Sequence, residues 1–326
     1  MQPIKNWPSI LAGGAVLLAL GAGAAWIGTA GAAPAGAIPA AASFADPAFE
    51  RVWGRTDYLV AIGQVARSWY WGPAPNSALV EPYAEGPGRV HQVQYFDKSR
   101  MEINNPSGDP NSKWYVTNGL LTIELISGRI QVGNTQWVAK AGGPAPIPLA
   151  SDTDDPNAPT YASFANLANT PLGDHRVGDR TDQPVLEAVT RAGQVVAAPE
   201  KATYNVYYRH YEPATGHNIP TVFWDFLNAP GPVRENGQTL TQQLSDPWFF
   251  TSGYPISDAY WARVKIANTM HDVLIQPYER RVLTYVPDNA PAWQVQMGNI
   301  GQHYVDWRYH GSLPSPLPTA PPTVGP

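Results

Sequence analysis

Apolar positions along this chain recur with two different periods. After Asp46-Pro47, the residues Phe49, Val52, Trp53, Thr56 and Val60 follow one another at helical spacing. Asp46 offers a capping oxygen and Pro47 has the φ that a first helical position needs, so a helix is predicted to open there. A comparable run, PTVFWDFL (Pro220 to Leu227), predicts a second short helix. Elsewhere the period is two. Val90 to Ile103 alternates through Val93, Tyr95, Met101 and Ile103, which predicts a hairpin turning at Asp97-Lys98-Ser99. Tyr260 to Ile266, Val273 to Gln276 and Val282 to Val286 predict strands, with a turn at Pro287-Asp288-Asn289 and a closing segment from Trp293 to Trp307. Thr203 to Tyr211 is β-prone, Tyr161 to Leu167 fits a short helix, and Asn104 to Lys113 is loop by composition. Trp114 to Ile126 is apolar and reads equally as strand or helix.

The pattern is also stated twice. Trp71-Gly72-Pro73, VQYFDKSRMEI (Val93 to Ile103), Trp114 and Asn118-Gly119 are matched near the C-terminus by Gly253-Tyr254-Pro255, IQPYERRVLTY (Ile275 to Tyr285), Trp293 and Gly298-Asn299. The separation of Trp114 from Gly119 equals that of Trp293 from Gly298. Matched order and spacing imply a shared supersecondary unit. The expected fold class is therefore α+β and β-dominated: two divergent copies of a small β-rich unit with short helices, residues 44–141 and 220–310, joined by a loop-rich insert over 142–219. Residues 49–125 and 223–305 should then share a topology, with Trp114 and Trp293 buried at equivalent places.

Composition narrows the functional classes. Apolar residues make up 44% of the 326 positions and charged ones only 14%, while Pro (34) and Gly (29) are abundant. That mixture suits turn-rich β structure. Lys5 is the sole charge before Asp46, Ile10 to Ile27 is apolar or small, and Ala30-Gly31-Ala32 fits an A-x-A cleavage site. Residues 1–32 are thus expected to be an export signal, with an uncleaved membrane anchor as the alternative; either places the body in an extracellular or cell-surface compartment. Net charge is −5, and removal of residues 1–32 takes away only Lys5 and leaves −6. An acidic surface argues against a nucleic-acid partner and against electrostatic docking on anionic lipid. The absence of cysteine excludes thiol nucleophiles, disulfides and thiolate metal sites. Residues 311–326 read as a Pro-rich, extended tail free of contacts with the body.

The second copy resembles repeats of secreted bacterial cell-surface proteins with the pattern G-[YF]-P-[IL]-S, then Q-x-F-E-R-x-R-x-E-x-x-P, then V-x-x-G-x-x-G. It is also similar to LGFP-type repeats, which are associated with attachment to the bacterial cell wall. Gly253, Tyr254, Pro255, Ile256, Ser257, Gln276, Tyr278, Glu279, Arg280, Pro287, Val295, Gly298 and Gly301 carry the resemblance. The first copy keeps Gln94, Phe96, Asp97, Lys98, Arg100 and Glu102, whereas the second has Val282 and Thr284 where the pattern has Arg and Glu. As a whole the chain looks like an extracellular module set before other domains through Pro-rich linkers. The resemblance implies a wall-associated binding or holding role and brings no activity with it.

Candidate chemistry falls into four groups. Trp and Tyr are numerous (12 and 16) against 8 Phe, and both suit partly exposed sites where a ring stacks on sugar. Trp69, Tyr70 and Trp71 in the first copy, and Tyr254, Tyr260 and Trp261 in the second, are the candidate ligand-binding aromatics; the alternative is that they fill the core. Lys98, Arg100 and Glu102 fall on one strand face, so Arg100 and Glu102 are either a polar binding strip or a solvated ion-pair ladder holding the hairpin in register. Asp152, Asp154, Asp155 and Asn157 are candidate calcium ligands on a loop, although Pro156 breaks the EF-hand spacing. No nucleophile, zinc or phosphate-loop motif occurs; Glu81 and Glu102 are the candidate carboxylates for a glycan hydrolase. The expected role is an exported, non-enzymatic module that binds or anchors to cell-envelope glycan or a neighbouring surface protein. A glycan hydrolase and a structural spacer are the alternatives, with no cofactor other than calcium in view.

Overall fold

A computed structural model describes residues 43–310; the expected leader (1–32) and Pro-rich tail (311–326) lie outside the described residues. The chain opens with helix α1 (Pro47–Thr56), capped as its sequence suggests by the Asp46 carboxylate, which accepts the Ala48 N–H. A short α2 (Tyr58–Ala61) follows. Strands β1 (Pro75–Pro82), β2 (Val90–Phe96), β3 (Ser99–Ile103) and β4 (Thr117–Asn118) then form an antiparallel sheet in sequence order. Helix α3 (Leu121–Ser127) comes directly after β4, so the ambiguous apolar run resolves into a strand end and then a helix. Hairpin β5–β6 (Arg129–Gln131, Trp137–Ala139) closes this half.

The insert is loop-rich, as expected, but it takes part in the architecture. Strands β7 (Glu187–Val189) and β8 (Val195–Ala197) extend the second sheet, β7 running parallel to its neighbour through Ala188 and Trp261. Hairpin β9–β10 (Tyr208–Glu212, His217–Pro220) leads into α4 (Thr221–Leu227) and then into the polar ribbon β11–β12 (Pro230–Glu235, Gln238–Gln243). The predicted strand over 203–211 is shortened at its start, because Pro199–Tyr204 forms a 3₁₀ turn. A short helix α5 (Phe249–Ser252) precedes the second meander: β13 (Tyr260–Ile266), β14 (Thr269–Pro277), β15 (Val282–Tyr285) and β16 (Val295–Met297), again antiparallel and in sequence order. Helix α6 (Ile300–Tyr309) follows β16 as α3 follows β4. The fold is thus α+β and β-dominated.

The two meanders share detail beyond their order. The Gly119 N–H donates to the Arg100 carbonyl and the Gly298 N–H to the Val282 carbonyl, each at 2.9 Å. The Lys98 N–H donates to the Trp71 carbonyl (3.0 Å) and the Arg280 N–H to the Ser252 carbonyl (2.9 Å). Both pairs join positions that align in sequence.

Strict alternation lets each sheet bury both faces. Val93 and Tyr95 on β2, with Tyr260, Ala262, Val264, Val273 and Ile275 on the second sheet, pack with α3 and α6 in one core. Phe96, Met101 and Ile103, with Trp261, Leu274 and Leu283, pack with α1 and α4 in the other. Each core draws on both sheets, which binds the halves into one body. Helix α6 sits so tightly on the β2–β3 turn that a Cβ at Gly301 would lie 1.9 Å from the Phe96 carbonyl oxygen. Two expectations about tryptophan need correction. Trp114 is 51% exposed and Trp293 is half-buried; both precede a short strand at the edge of its sheet, β4 and β16, and not a central one. Among the described residues no helix is long and apolar enough to cross a membrane.

Candidate functional site: a strip of partly exposed aromatic rings

The candidate residues separate by burial. Tyr70 and Trp71 are 1% exposed, Trp261 is fully buried and Tyr260 nearly so. These four are core residues, which corrects their reading as a ligand platform. The two indoles are satisfied inside, the Trp71 N–H donating to Thr56 Oγ1 (3.1 Å) and that of Trp261 to the Val185 carbonyl (2.9 Å), whereas the Tyr70 hydroxyl is buried without a partner among the described residues. The backbone amides of Tyr70, Trp71 and Gly72 all donate to the buried Asp57 carboxylate. Burial pushes that carboxyl up to about 6, although the three amides pull it down. Trp69 is half-buried and joins no ring cluster. Tyr254, equally half-buried, is the one of the six that stands among other partly exposed rings.

Around Tyr254 lies a chain of seven rings. Trp114 packs 6.5 Å from Phe249 and 5.9 Å from Phe250; Phe249 lies 4.8 Å from Tyr254, and Tyr254 5.7 Å from Trp248. Trp248 then meets Trp224 at 5.4 Å, and Trp224 stacks on His210 at 4.1 Å. All but the exposed Trp114 are half-buried. Each is placed by local structure. In α4, Phe223 and Leu227 turn inward one helical turn apart, which leaves Trp224 at the boundary. Buried Ser245 anchors the start of α5 by donating to the Trp248 carbonyl (3.0 Å) and sharing a bond with Thr251 Oγ1 (2.9 Å). Gly253 then turns the chain with φ +72°, close against Glu279, whose Oε2 accepts the Tyr254 N–H at 3.0 Å. An exposed ion pair, Lys113 to Asp246 at 3.1 Å, ties the loop bearing Trp114 to α5. Asn118 on β4 donates to the Phe250 carbonyl at 3.1 Å, so the strip crosses the seam between the two sheets.

No family model matches the chain, and neither does any curated protein or solved structure. The strip is therefore interpreted from its own chemistry. Seven neighbouring rings, most of them tilted or edge-on to the next, give a continuous apolar strip edged by hydrogen-bonding groups, which suits a ligand with alternating apolar faces and hydroxyls. Burial, reinforced by Glu212 and Glu279, pushes the Tyr254 phenol up, so it stays neutral and both donates and accepts.

Arg100 and Glu102 belong to a different constellation. They lie on one strand face as the spacing requires, but that face is buried: Arg100 is 1% and Glu102 3% exposed. The guanidinium meets Glu102 at 2.7 Å, Glu124 at 2.9 Å and Glu81 at 3.4 Å. Arg308 from α6 reaches Glu81 at 2.7 Å, Tyr95 and Tyr309 donate to its other oxygen (2.7 and 2.8 Å), and the Tyr304 hydroxyl contacts Glu124. This corrects both earlier readings of the strand. It is neither a solvated ladder nor a binding strip, because α3 and α6 cover it with Glu124 and Arg308. It also removes Glu81 and Glu102 as an accessible acid–base pair, since both are buried, Glu81 among two arginines and two tyrosines and Glu102 against Arg100. Three carboxylates face two guanidiniums, and the excess falls on Glu124, whose carboxyl is pushed up by burial against the pull of Arg100. Burial would also raise Glu81, but Arg100, Arg308 and the two phenols outweigh it and hold that group at about 2. A folded pKa below the unfolded value gives stability that is present above pH 4.5 and lost as pH falls towards 2. The contribution is about 3 kcal/mol for a shift of this size. The gap in urea-unfolding free energy between wild type and Glu81→Gln should therefore shrink as pH falls from 4.5 to 2; a constant gap would contradict the assignment.

The loop carboxylates are likewise committed. Asp152 accepts the Ala267 and Asn268 amides (both 3.0 Å), and Asp155 accepts those of Lys265 (2.7 Å) and Asn157 (2.9 Å). Asp154 pairs with the Lys265 ammonium at 2.7 Å. These side chains pin the β13–β14 turn, where Ala267 and Asn268 have positive φ. The oxygens proposed as calcium ligands already face N–H donors, and Asn157 contributes its backbone. Among the described residues no group of three or more His, Cys, Asp or Glu is arranged to hold a metal ion. A depression of about 260 Å³ beside α4, lined by Val222, Phe226, Tyr285, Pro291, Ala292, Gln294 and Val295, holds no carboxylate.

Proposed function

We propose that this chain is a cell-envelope binding module whose ligand is a polysaccharide stacked along the strip from Trp114 to His210. The observation that carries this reading is the continuity of the rings: sugar faces are apolar, and successive residues of a glycan need successive platforms. We further propose that the two meanders, with their matched hydrogen bonds, descend from one duplicated unit, in keeping with the resemblance to wall-associated repeats. The exported leader suggested by residues 1–32 fits the same location. The strip is partly exposed, while the two candidate carboxylates are buried in the arginine-centred cluster, an arrangement that favours holding over hydrolysis.

Stacking on neutral sugar is mainly apolar, whereas charge-driven adsorption is screened once the Debye length falls to about 3 Å at 1 M salt. The secreted protein should be retained on purified, insoluble cell-wall glycan at both about 0.1 M and about 1 M salt, without release of soluble sugar. Complete elution at high salt would contradict stacking, and steady release of reducing sugar would contradict a pure binding role.

A further inference from the structure

We infer that the bound glycan carries an anionic substituent and that Arg280 receives it beside Tyr254, in the middle of the strip. The inference rests on the glycan reading above and specifies the ligand's chemistry. Arg280 is bonded to the backbone of α5, the helix that carries Phe249 and Phe250. Its backbone N–H donates to the Ser252 carbonyl, and its Nη1 reaches the carbonyls of Phe249 (3.3 Å) and Phe250 (3.0 Å). The rest of the guanidinium is uncommitted. Nε is buried without a hydrogen-bond partner, and among the described residues no carboxylate forms an ion pair with the group. Glu279, its sequence neighbour, directs Oε2 to the Tyr254 N–H instead. The charges that face Arg280 are Glu279, Glu102 and the Tyr254 phenol, and burial outweighs them in lowering its pKa. It nevertheless stays protonated, because guanidinium has no accessible neutral form.

Two contrasts within the molecule sharpen the point. Arg100, on the equivalent hairpin, has a carboxylate on each edge of its guanidinium. Lys98, the positional counterpart of Arg280 in the first unit, is spent on the seam: its Nζ donates to the Met297 carbonyl (2.6 Å) and to Asn299 Oδ1 (2.9 Å). Of these three, Arg280 alone has neither a carboxylate nor a side-chain partner among the described residues: its Nε is buried and its Nη2 carries no hydrogen bond, beside the half-buried ring of Tyr254. The unbonded Nη2 can donate a charge-assisted hydrogen bond to an oxygen of a carboxylate or phosphate. A uronic acid and a sugar phosphate share this chemistry, and the Tyr254 hydroxyl is placed to bond a neighbouring sugar hydroxyl.

The test compares three soluble polymers against the full-length chain: polygalacturonate, the same backbone fully methyl-esterified, and a glycerol-phosphate polymer. Wild type, Arg280→Gln, Arg280→Lys and Trp248→Ala are each measured by calorimetry, after unfolding midpoints have established that they fold. Wild type should prefer at least one acidic polymer to the neutral ester. Arg280→Gln should lower that acidic-to-neutral ratio about tenfold. Arg280→Lys should fall between, since it keeps the charge and loses the planar guanidinium that holds the Phe249 and Phe250 carbonyls while leaving Nη2 free. Trp248→Ala should weaken binding to every polymer. The better acidic ligand distinguishes carboxylate from phosphate. An unchanged ratio in Arg280→Gln, with Trp248→Ala still weakened, would overturn the role of Arg280 and leave the strip standing. Failure of both acidic polymers to bind while neutral wall glycan is retained would overturn it too. Wild-type binding by Trp248→Ala would instead overturn the glycan reading itself.

Discussion

Arg100→Leu should destabilise the protein by about 3–5 kcal/mol, the usual cost of removing one partner from a buried ionic cluster. The side chain is 1% exposed and meets three carboxylates that are each 3% exposed or less. Leucine fills part of the volume but leaves Glu102 and Glu124 without their cation, and Glu81 with Arg308 alone. The loss is thus dominated by desolvated negative charge and not by missing contacts. This mechanism has a signature. Carboxylates stripped of their cation have raised pKa values and escape the penalty by taking up protons. The deficit of Arg100→Leu relative to wild type should therefore be smaller at pH 5 than at pH 7.5 in urea-unfolding experiments. Arg100→Lys should lie between, because one ammonium cannot spread across three carboxylates as a planar fork does. A deficit under about 1 kcal/mol, or one independent of pH, would show that the cluster is solvated.

The same cluster shows where the sequence stops being informative. The strand alternation placed Arg100 and Glu102 together on one face, and the structure keeps them there. Whether that face was wet or dry depended on Glu124, 24 residues away, and on Arg308 from the last helix. No local pattern carries that pairing. The aromatic residues divide in the same way. Asp46-Pro47, the strand over 260–266 and the β2–β3 turn were legible because capping and alternation are local. The fate of each ring was not local. Trp71 and Trp261 are buried because a second sheet and two helices close over them, and Trp114 is exposed because only Phe249 and Phe250 cover one side of it. Trp224 and His210 were missed altogether, since only the fold brings α4 and β9 alongside α5. The one available signal was the run Trp248-Phe249-Phe250 after Asp246-Pro247, three large rings in succession where a globular segment alternates.

Trp248→Ala should cause the largest loss of ligand binding in the molecule. Its ring contacts Trp224, Phe249, Tyr254 and His210, so it joins the two ends of the strip. Truncating a central aromatic anchor costs about 2 kcal/mol or more, which corresponds to about thirtyfold in affinity. Because Trp248 is half-buried, part of its removal is felt by the fold, and Trp114→Ala supplies the control. That ring is 51% exposed and lies at the strip's end, so its loss should leave the unfolding midpoint nearly unchanged while weakening binding several-fold. The most direct test is therefore the affinity of the protein for purified cell-wall glycan, measured for wild type, Trp114→Ala and Trp248→Ala at high salt. The account predicts graded losses, several-fold and then about thirtyfold. Equal affinity of all three proteins would contradict it.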